Sequence, residues 1–233
     1  MLLDIILGLS ETNTCWAHHH LKSDFQAAIR SFHKQSKVCF GSPNATIDPC
    51  PTTESHQAGG NVTMVTGPMV SRVHGAELQD PTGLGRGCGY TLLGKLDQKL
   101  SVLTAYRVCH GSPSSAPLGS SFLREYEYLR TQKHYRPNPR RQFLTDLQTA
   151  VMQLQESGHA VVVMLDANST LSSDNHFSDF IDSCGLHDLH SNDPAPSTYI
   201  GSVDRRIDFI LGCDQVLQHF QVRYTFVFRR SSV

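Results

Sequence analysis

The chain has no excess charge of either sign: 20 Lys and Arg stand against 21 Asp and Glu, a formal net charge of −1. Global charge therefore does not point to nucleic acid or a membrane surface, although a local basic patch remains compatible with it. No run reaches the roughly 20 apolar residues needed to span a bilayer. The opening "MLLDIILGLSE" lacks a basic leader and is interrupted by Asp4, so a signal peptide is not expected. Seven cysteines (Cys15, Cys39, Cys50, Cys88, Cys109, Cys184 and Cys213) include no C-x-x-C pair. Neither a disulfide framework nor a structural zinc site is expected, and a reducing compartment, nucleus or cytoplasm, suits them better. "GGNVTMVTG" (59–67) lacks the lysine of a phosphate-binding P-loop. Internal repeats and long linkers are missing too, which leaves one domain over 1–233.

What is present suits a globular protein: 39% hydrophobic and 18% charged residues. "DIILGL" (4–9) reads as a buried strand and 21–36 as a helix with Leu21, Phe25, Ala28, Ile29 and Phe32 on one face. Ser23 or Asp24 is its expected cap, and His18, His19 and His20 are expected in a surface loop. Strands follow at "KVCF" (37–40) and within 59–67, with loops at 41–58 and at the glycine-rich 75–89. "GYTLLG" (89–94) and "KLSVLTAY" (99–106) read as a hairpin. Helices are predicted near 120–133 and 139–157, divided by Pro137 and Pro139. "HAVVVMLD" (159–166) is an unalternating strand covered on both faces. A short helix at 176–186 ends on Gly185, and strands at 206–211 and 222–228 follow. Strands in both halves with helices on the outer faces predict an α/β fold, a four-layered sandwich of two packed sheets.

Chemistry concentrates where apolar runs meet acids. "ILGLSET" ends on Glu11, "VVVMLDANS" on Asp166 and Asn168, and "RRIDFIL" carries Asp208 within an apolar run. Three such acids at strand ends can converge on one divalent cation. In an extended chain Asp166 and Asn168 share a face, so a carboxylate that activates water and an amide that meets phosphate would point together. A plain turn explains the same pair. Glu11 is a hard oxygen ligand or an exposed acid at a helix start. Asp208 is costly inside a strand unless it faces a cleft, orients a histidine or pairs with Arg205 or Arg206. Tyr106 ends "KLSVLTAY", where its hydroxyl would donate to a phosphoryl oxygen or simply edge the core. The basic "KHYRPNPRR" (133–141) touches phosphates or forms a solvated turn.

The ordered set "LGLSET", "GGNVTMVTG", "SVLTAYRV", "MLDAN" and "RIDFIL" resembles the endonuclease/exonuclease/phosphatase superfamily, in its apurinic-endonuclease and retrotransposon-endonuclease branch. The resemblance runs over nearly the whole chain and implies a deoxyribonuclease-like sandwich. It implies Glu11 as the metal ligand, with Mg²⁺ or Mn²⁺ as cofactor. It implies Tyr106 and Asn168 as phosphate contacts, Asp166 as the activator of the attacking water and Asp208 as the brace of a catalytic histidine. Nucleic acid is the implied substrate; no membrane partner is expected from the lack of a spanning run, and the oligomeric state is left open, a monomer being the expectation.

Two family features have no counterpart: an asparagine one strand before Glu11 and a terminal Ser-Asp-His, the last residues here being "RRSSV". The expectation is a domain lacking the first strand and the terminal strand. Losing one donor beside the developing charge typically costs roughly 100–1,000-fold in rate, so weak or absent activity is expected. Tyr106 tilts the expected function toward an endonuclease-like phosphodiesterase. A phosphatase on a small or lipid phosphate and a catalytically inactive remnant are the alternatives.

Overall fold

A computed structural model describes residues 5–48, 55–132, 135–191, 197–199 and 205–219. The elements in chain order are β1 (Ile6–Ser10), α1 (His19–Phe32), β2 (Ser36–Gly41), β3 (Asn61–Thr66), β4 (Val73–Gln79), β5 (Gly87–Leu93) and β6 (Lys99–Tyr106). Then come α2 (Ser121–Thr131), α3 (Pro139–Glu156), β7 (His159–Asp166), α4 (Asn175–Ser183), β8 (Leu186–Asp188), β9 (Asp208–Cys213) and α5 (Asp214–His219).

The strands form two sheets. The smaller has the order β1-β3-β2 and is antiparallel throughout. The larger runs β4-β5-β6-β7-β9-β8, with β6 and β7 parallel and every other pair antiparallel. Apolar clusters set the layers. Trp16, Val38, Phe40, Val62 and Met64 pack with Leu21, Phe25 and Ile29 of α1 on the outer face of the small sheet. Cys39, Val65, Cys88, Tyr90, Leu92 and Val102 fill the space between the sheets. Phe143, Leu144, Val151, Phe177, Phe180 and Val216 bring α3, α4 and α5 onto the other face of the large sheet. Helix, sheet, sheet, helix is the expected four-layered sandwich.

Gly8 is what lets the sheets approach at β1. A Cβ there would lie 2.6 Å from Thr104 Oγ1 and 2.8 Å from Met164 Cε. The seam it opens is polar in part: Thr63 donates to Thr104 Oγ1 at 2.7 Å. This buried hydroxyl pair gives its partners what water would otherwise supply.

Several expectations need correction. The 75–89 loop instead holds β4 and the start of β5; β4 is an edge strand, mostly exposed and broken by a register shift, so it carries no hydrophobic alternation. His19 and His20 begin α1 rather than lying in a loop, and His18 is its N-cap, without a side-chain cap bond. Helix α1 therefore starts before Ser23 and Asp24. Strand β8 and helix α5 were not anticipated; each is short, three and six residues. The expected strand at 222–228 lies outside the described residues. Cys15 is fully buried and disulfide-bonded, while Cys39, Cys88, Cys109, Cys184 and Cys213 are free thiols. One bridge is not a framework, so the general expectation for the thiols needs only this exception. Among the described residues no helix is long and apolar enough to cross a membrane.

Candidate functional site

Strand register assembles the site. Tyr106 pairs with Asp166 across β6 and β7, and Asp166 pairs with Asp208 across β7 and β9. The three residues thus form one row over three neighbouring strands, and directly paired residues share a face of a sheet. Parallel β6 and β7 both end on this row, and antiparallel β9 begins there. Glu11 arrives from the other sheet. The Ser10 hydroxyl donates to the Ala105 carbonyl at 3.2 Å, which ties the end of β1 to the end of β6. The Tyr106 hydroxyl then donates to Glu11 Oε1 at 3.2 Å.

The turn carrying Glu11 is held from several sides. Glu11 and Asn13 both adopt left-handed backbone, φ 53° and 51°. Asn13 N–H donates to the Gly59 carbonyl at 2.8 Å, Gly59 N–H donates to Asn13 Oδ1, and Trp16 Nε1 donates to Thr12 Oγ1. Such conformations cost on the order of 1–3 kcal/mol each and persist only where surroundings enforce them.

Asn168 is a third left-handed residue, φ 47°. Its N–H donates back to Asp166 Oδ1 at 3.1 Å. Of the two readings open for Asp-x-Asn, an extended pair on one face and a plain turn, the structure has the turn: β7 ends at Asp166 and the chain turns at once. Asn168 reaches the loop after β6 instead. Its Nδ2 donates to the Arg107 carbonyl at 2.8 Å, and the exposed Cys109 thiol donates to its Oδ1.

The charges sense one another. Burial first, then the Asp208 and Glu11 carboxylates, push the Asp166 carboxyl up to about 7, against the Asn168 N–H and Arg140. Burial raises Asp208 as well, against a Thr198 hydrogen bond and Arg206. Burial, followed by Glu11, Cys109 and Asp166, holds the Tyr106 hydroxyl far above its ordinary range, so it stays protonated and a donor. The alternative expected for Asp208, an ion pair with Arg205 or Arg206, is not what the Arg206 side chain makes: its Nη2 pairs with Asp188, and its Nε donates to the Asp208 backbone carbonyl.

No three His, Cys, Asp or Glu side chains among the described residues lie close enough to hold an ion together. The expected convergence of three acids on one cation is corrected to that extent. The donor set still fits a hard divalent ion of the magnesium type, which takes one or two carboxylates and keeps several waters. Glu11 is exposed at the rim, and a dication beside Asp166 would remove the repulsion that raises its carboxyl.

Sequence reasoning missed a buried ionic floor. Arg107 and Arg140 are 2% and 6% exposed. Arg107 Nη1 lies 2.8 Å from Asp174 Oδ2, and Arg107 Nε donates to the Arg140 carbonyl. Arg140 donates to the carbonyls of Val108 and Asn168. Asp174 also accepts from Ser169 and caps α4 through Phe177 N–H. The basic 133–141 segment was thus only partly described by a phosphate contact or a solvated turn, since Arg140 is a buried brace. The usable signal was Pro139, which fixes the start of α3 and so the inward face of its first turn.

No family model matches this sequence. No curated protein matches it either. Solved structures do. The human Nocturnin catalytic domain with bound sulfate aligns with TM-score 0.54 and 14% identity over 90% of this chain and 69% of that one. The 3'-5' exonuclease NExo from Neisseria meningitidis aligns with TM-score 0.53 and 16% identity over 91% and 78%. The Xenopus laevis APE2 catalytic domain aligns with TM-score 0.55 and 14% identity over 91% and 75%. At such identities the likeness establishes architecture alone: this chain shares the fold of these three structures.

Proposed function

We propose that the chain is a divalent-metal-dependent phosphodiesterase, endonuclease-like, that hydrolyses nucleic-acid phosphodiester bonds by in-line attack of water. The row Tyr106–Asp166–Asp208, met by Glu11 from the opposite sheet, carries this reading. Glu11 holds the ion, Mg²⁺ or Mn²⁺. When bound, that ion supplies Lewis-acid polarisation of a phosphoryl oxygen. Asp166 aligns the water and takes its proton, a task suited to a carboxyl pushed up to about 7. Asp208, one register step away, keeps Asp166 basic through its negative charge. Tyr106, held protonated, donates to a phosphoryl oxygen, as does the second Nδ2 hydrogen of Asn168. Fixed donors of this kind stabilise charge as it develops in the transition state.

Neighbours of the same fold support the substrate class: one is a 3'-5' exonuclease, and NExo is also described as a 3' phosphatase bound to a product DNA hairpin. That second description favours a further reading, removal of a terminal phosphate by the same residues. A plasmid-nicking assay with Mg²⁺, beside a 3'-phosphorylated oligonucleotide and an Asp166→Ala control, tests both. Nicking that needs metal and Asp166 supports the endonuclease; phosphate release without nicking favours the phosphatase. Neither product, or cleavage unchanged by the substitution, leaves an inactive remnant as the better description.

A further inference from the structure

We propose that the cleft beside this site, between residues 107–113, the first turns of α2 and the start of α3, is a subsite for one unpaired nucleotide next to the cleaved bond. Its base lies against Phe122 and its phosphate faces Arg140 and Arg141. The proposal rests on the nuclease reading and specifies which form of strand the site takes.

The cleft holds about 580 Å³, within the roughly 300–1,000 Å³ of small-ligand pockets. It is linked to the row of site residues by two of its lining residues: Arg107 follows Tyr106, and Arg140 Nη2 donates to the Asn168 carbonyl at 3.2 Å. Three guanidiniums, Arg107, Arg140 and Arg141, line it against one carboxylate, Asp174. Their field reaches His110, which burial and then Arg140 and Arg107 hold below the usual imidazole value. Arg107 Nη1 is buried 2.8 Å from Asp174 Oδ2, so Arg107 adds positive field from the floor, and contact with an anion falls to Arg140 and Arg141. The 18-residue helix α3 also opens here, adding the positive end of its dipole.

The remaining wall is aromatic. Phe122 packs on the backbone of Gly111, where a Cβ would sit 3.1 Å from the ring. Tyr126, one turn on, lies nearly parallel to Phe122, at 16° with centroids 6.4 Å apart. Arginines beside flat rings suit a phosphate joined to a base, since bases stack on aromatic side chains while cations track the backbone. A base within a duplex is already stacked on its neighbours and must leave the helix to enter.

The test is fluorescence anisotropy of the full chain with a labelled single-stranded DNA oligonucleotide and a blunt duplex, in EDTA so that no metal-dependent turnover intervenes. Phe122→Leu should weaken single-strand binding roughly ten-fold, toward the low end of what one base stack supplies. Phe122→Tyr should retain it, and duplex binding should not change. Arg141→Ala, an exposed position with little bearing on folding, should reduce the slope of log affinity against log salt by about 0.7. Equal affinities in Phe122→Leu, an equal loss on duplex, an unchanged salt slope in Arg141→Ala or no single-strand binding by the wild type would each overturn the proposal. Failure of the nuclease reading shows separately, as no cleavage with Mg²⁺ while this metal-free binding persists.

Discussion

Asp174→Asn isolates the charge of the ionic floor beneath the site. Asp174 has two jobs: its Oδ1 caps α4 through Phe177 N–H, and its Oδ2 faces Arg107 at 2.8 Å and Arg140 at 3.5 Å. Asparagine caps a helix about as well as aspartate, so the substitution removes the charge and keeps the cap. Two guanidiniums, 2% and 7% exposed as side chains, are then left without their counter-charge. Breaking a buried pair in this way costs about 3–5 kcal/mol. In a chain of this size 1 kcal/mol corresponds to about 2–4 °C in melting temperature, so a fall near 10 °C is expected. The pH dependence carries a matching signature. The hydrogen bond and charge of Arg107 outweigh burial and hold Asp174 below its ordinary 3.8. A depressed carboxyl contributes stability that is present above pH 3.8 and lost as pH falls through its lower folded value. Asp174→Asn should therefore remove part of the wild type's acid sensitivity below about pH 4. Urea unfolding at pH 7 and thermal melts down to pH 3 measure both effects. A variant within 0.5 kcal/mol of wild type at pH 7, with an unchanged acid limb, would refute the reasoning.

Glu125 has the opposite sign: it is 1% exposed, and burial pushes its carboxyl from 4.5 up to about 8 against the nearby Arg86 and Arg124. Its contribution is full below pH 4.5 and is lost as pH rises through 8, at no more than about 1.4 kcal/mol per pH unit; Glu125→Gln should flatten the fall in melting temperature between pH 6 and 9. Gly8→Ala places a methyl 2.6 Å from Thr104 Oγ1, and overpacking of this kind costs about 1–3 kcal/mol, read as a lower urea midpoint. Tyr106→Phe removes the hydroxyl that faces Glu11; a hydrogen bond to a charged partner is worth about 1.5–3 kcal/mol, so Mg²⁺-dependent nicking should slow at least ten-fold. Nicking at the wild-type rate would take Tyr106 out of the mechanism.

The parts of the fold written in local pattern were legible. Strand β7 matches its predicted span because an unbroken apolar run ends on an acid. Helix α3 follows its apolar face and opens on Asn138 and Pro139, a cap and a first-turn residue that act locally. Strand β4 was not legible, because an exposed edge strand gains its pairing from β5 rather than from its own periodicity. The same division holds at the site. Strand ends marked Glu11, Tyr106, Asp166 and Asp208, and the observed register places the last three in one row. Arg107, Arg140 and Asp174 carry no local mark: their roles arise from contacts 28 to 67 residues apart in sequence, which only the packed sheet and the start of α3 create. For Asp166 and Asn168 the sequence left an extended pair and a plain turn open, since whether a strand continues past Asp166 is decided by the loop it meets.

A Mn²⁺-soaked crystal, read by anomalous scattering at the manganese edge, tests the central claim most directly. The account predicts one ion bound by the Glu11 carboxylate at the rim shared with Tyr106, Asp166 and Asp208, and its loss in Glu11→Gln. Manganese bound elsewhere with this rim empty, or an ion that stays in place in Glu11→Gln, would contradict it.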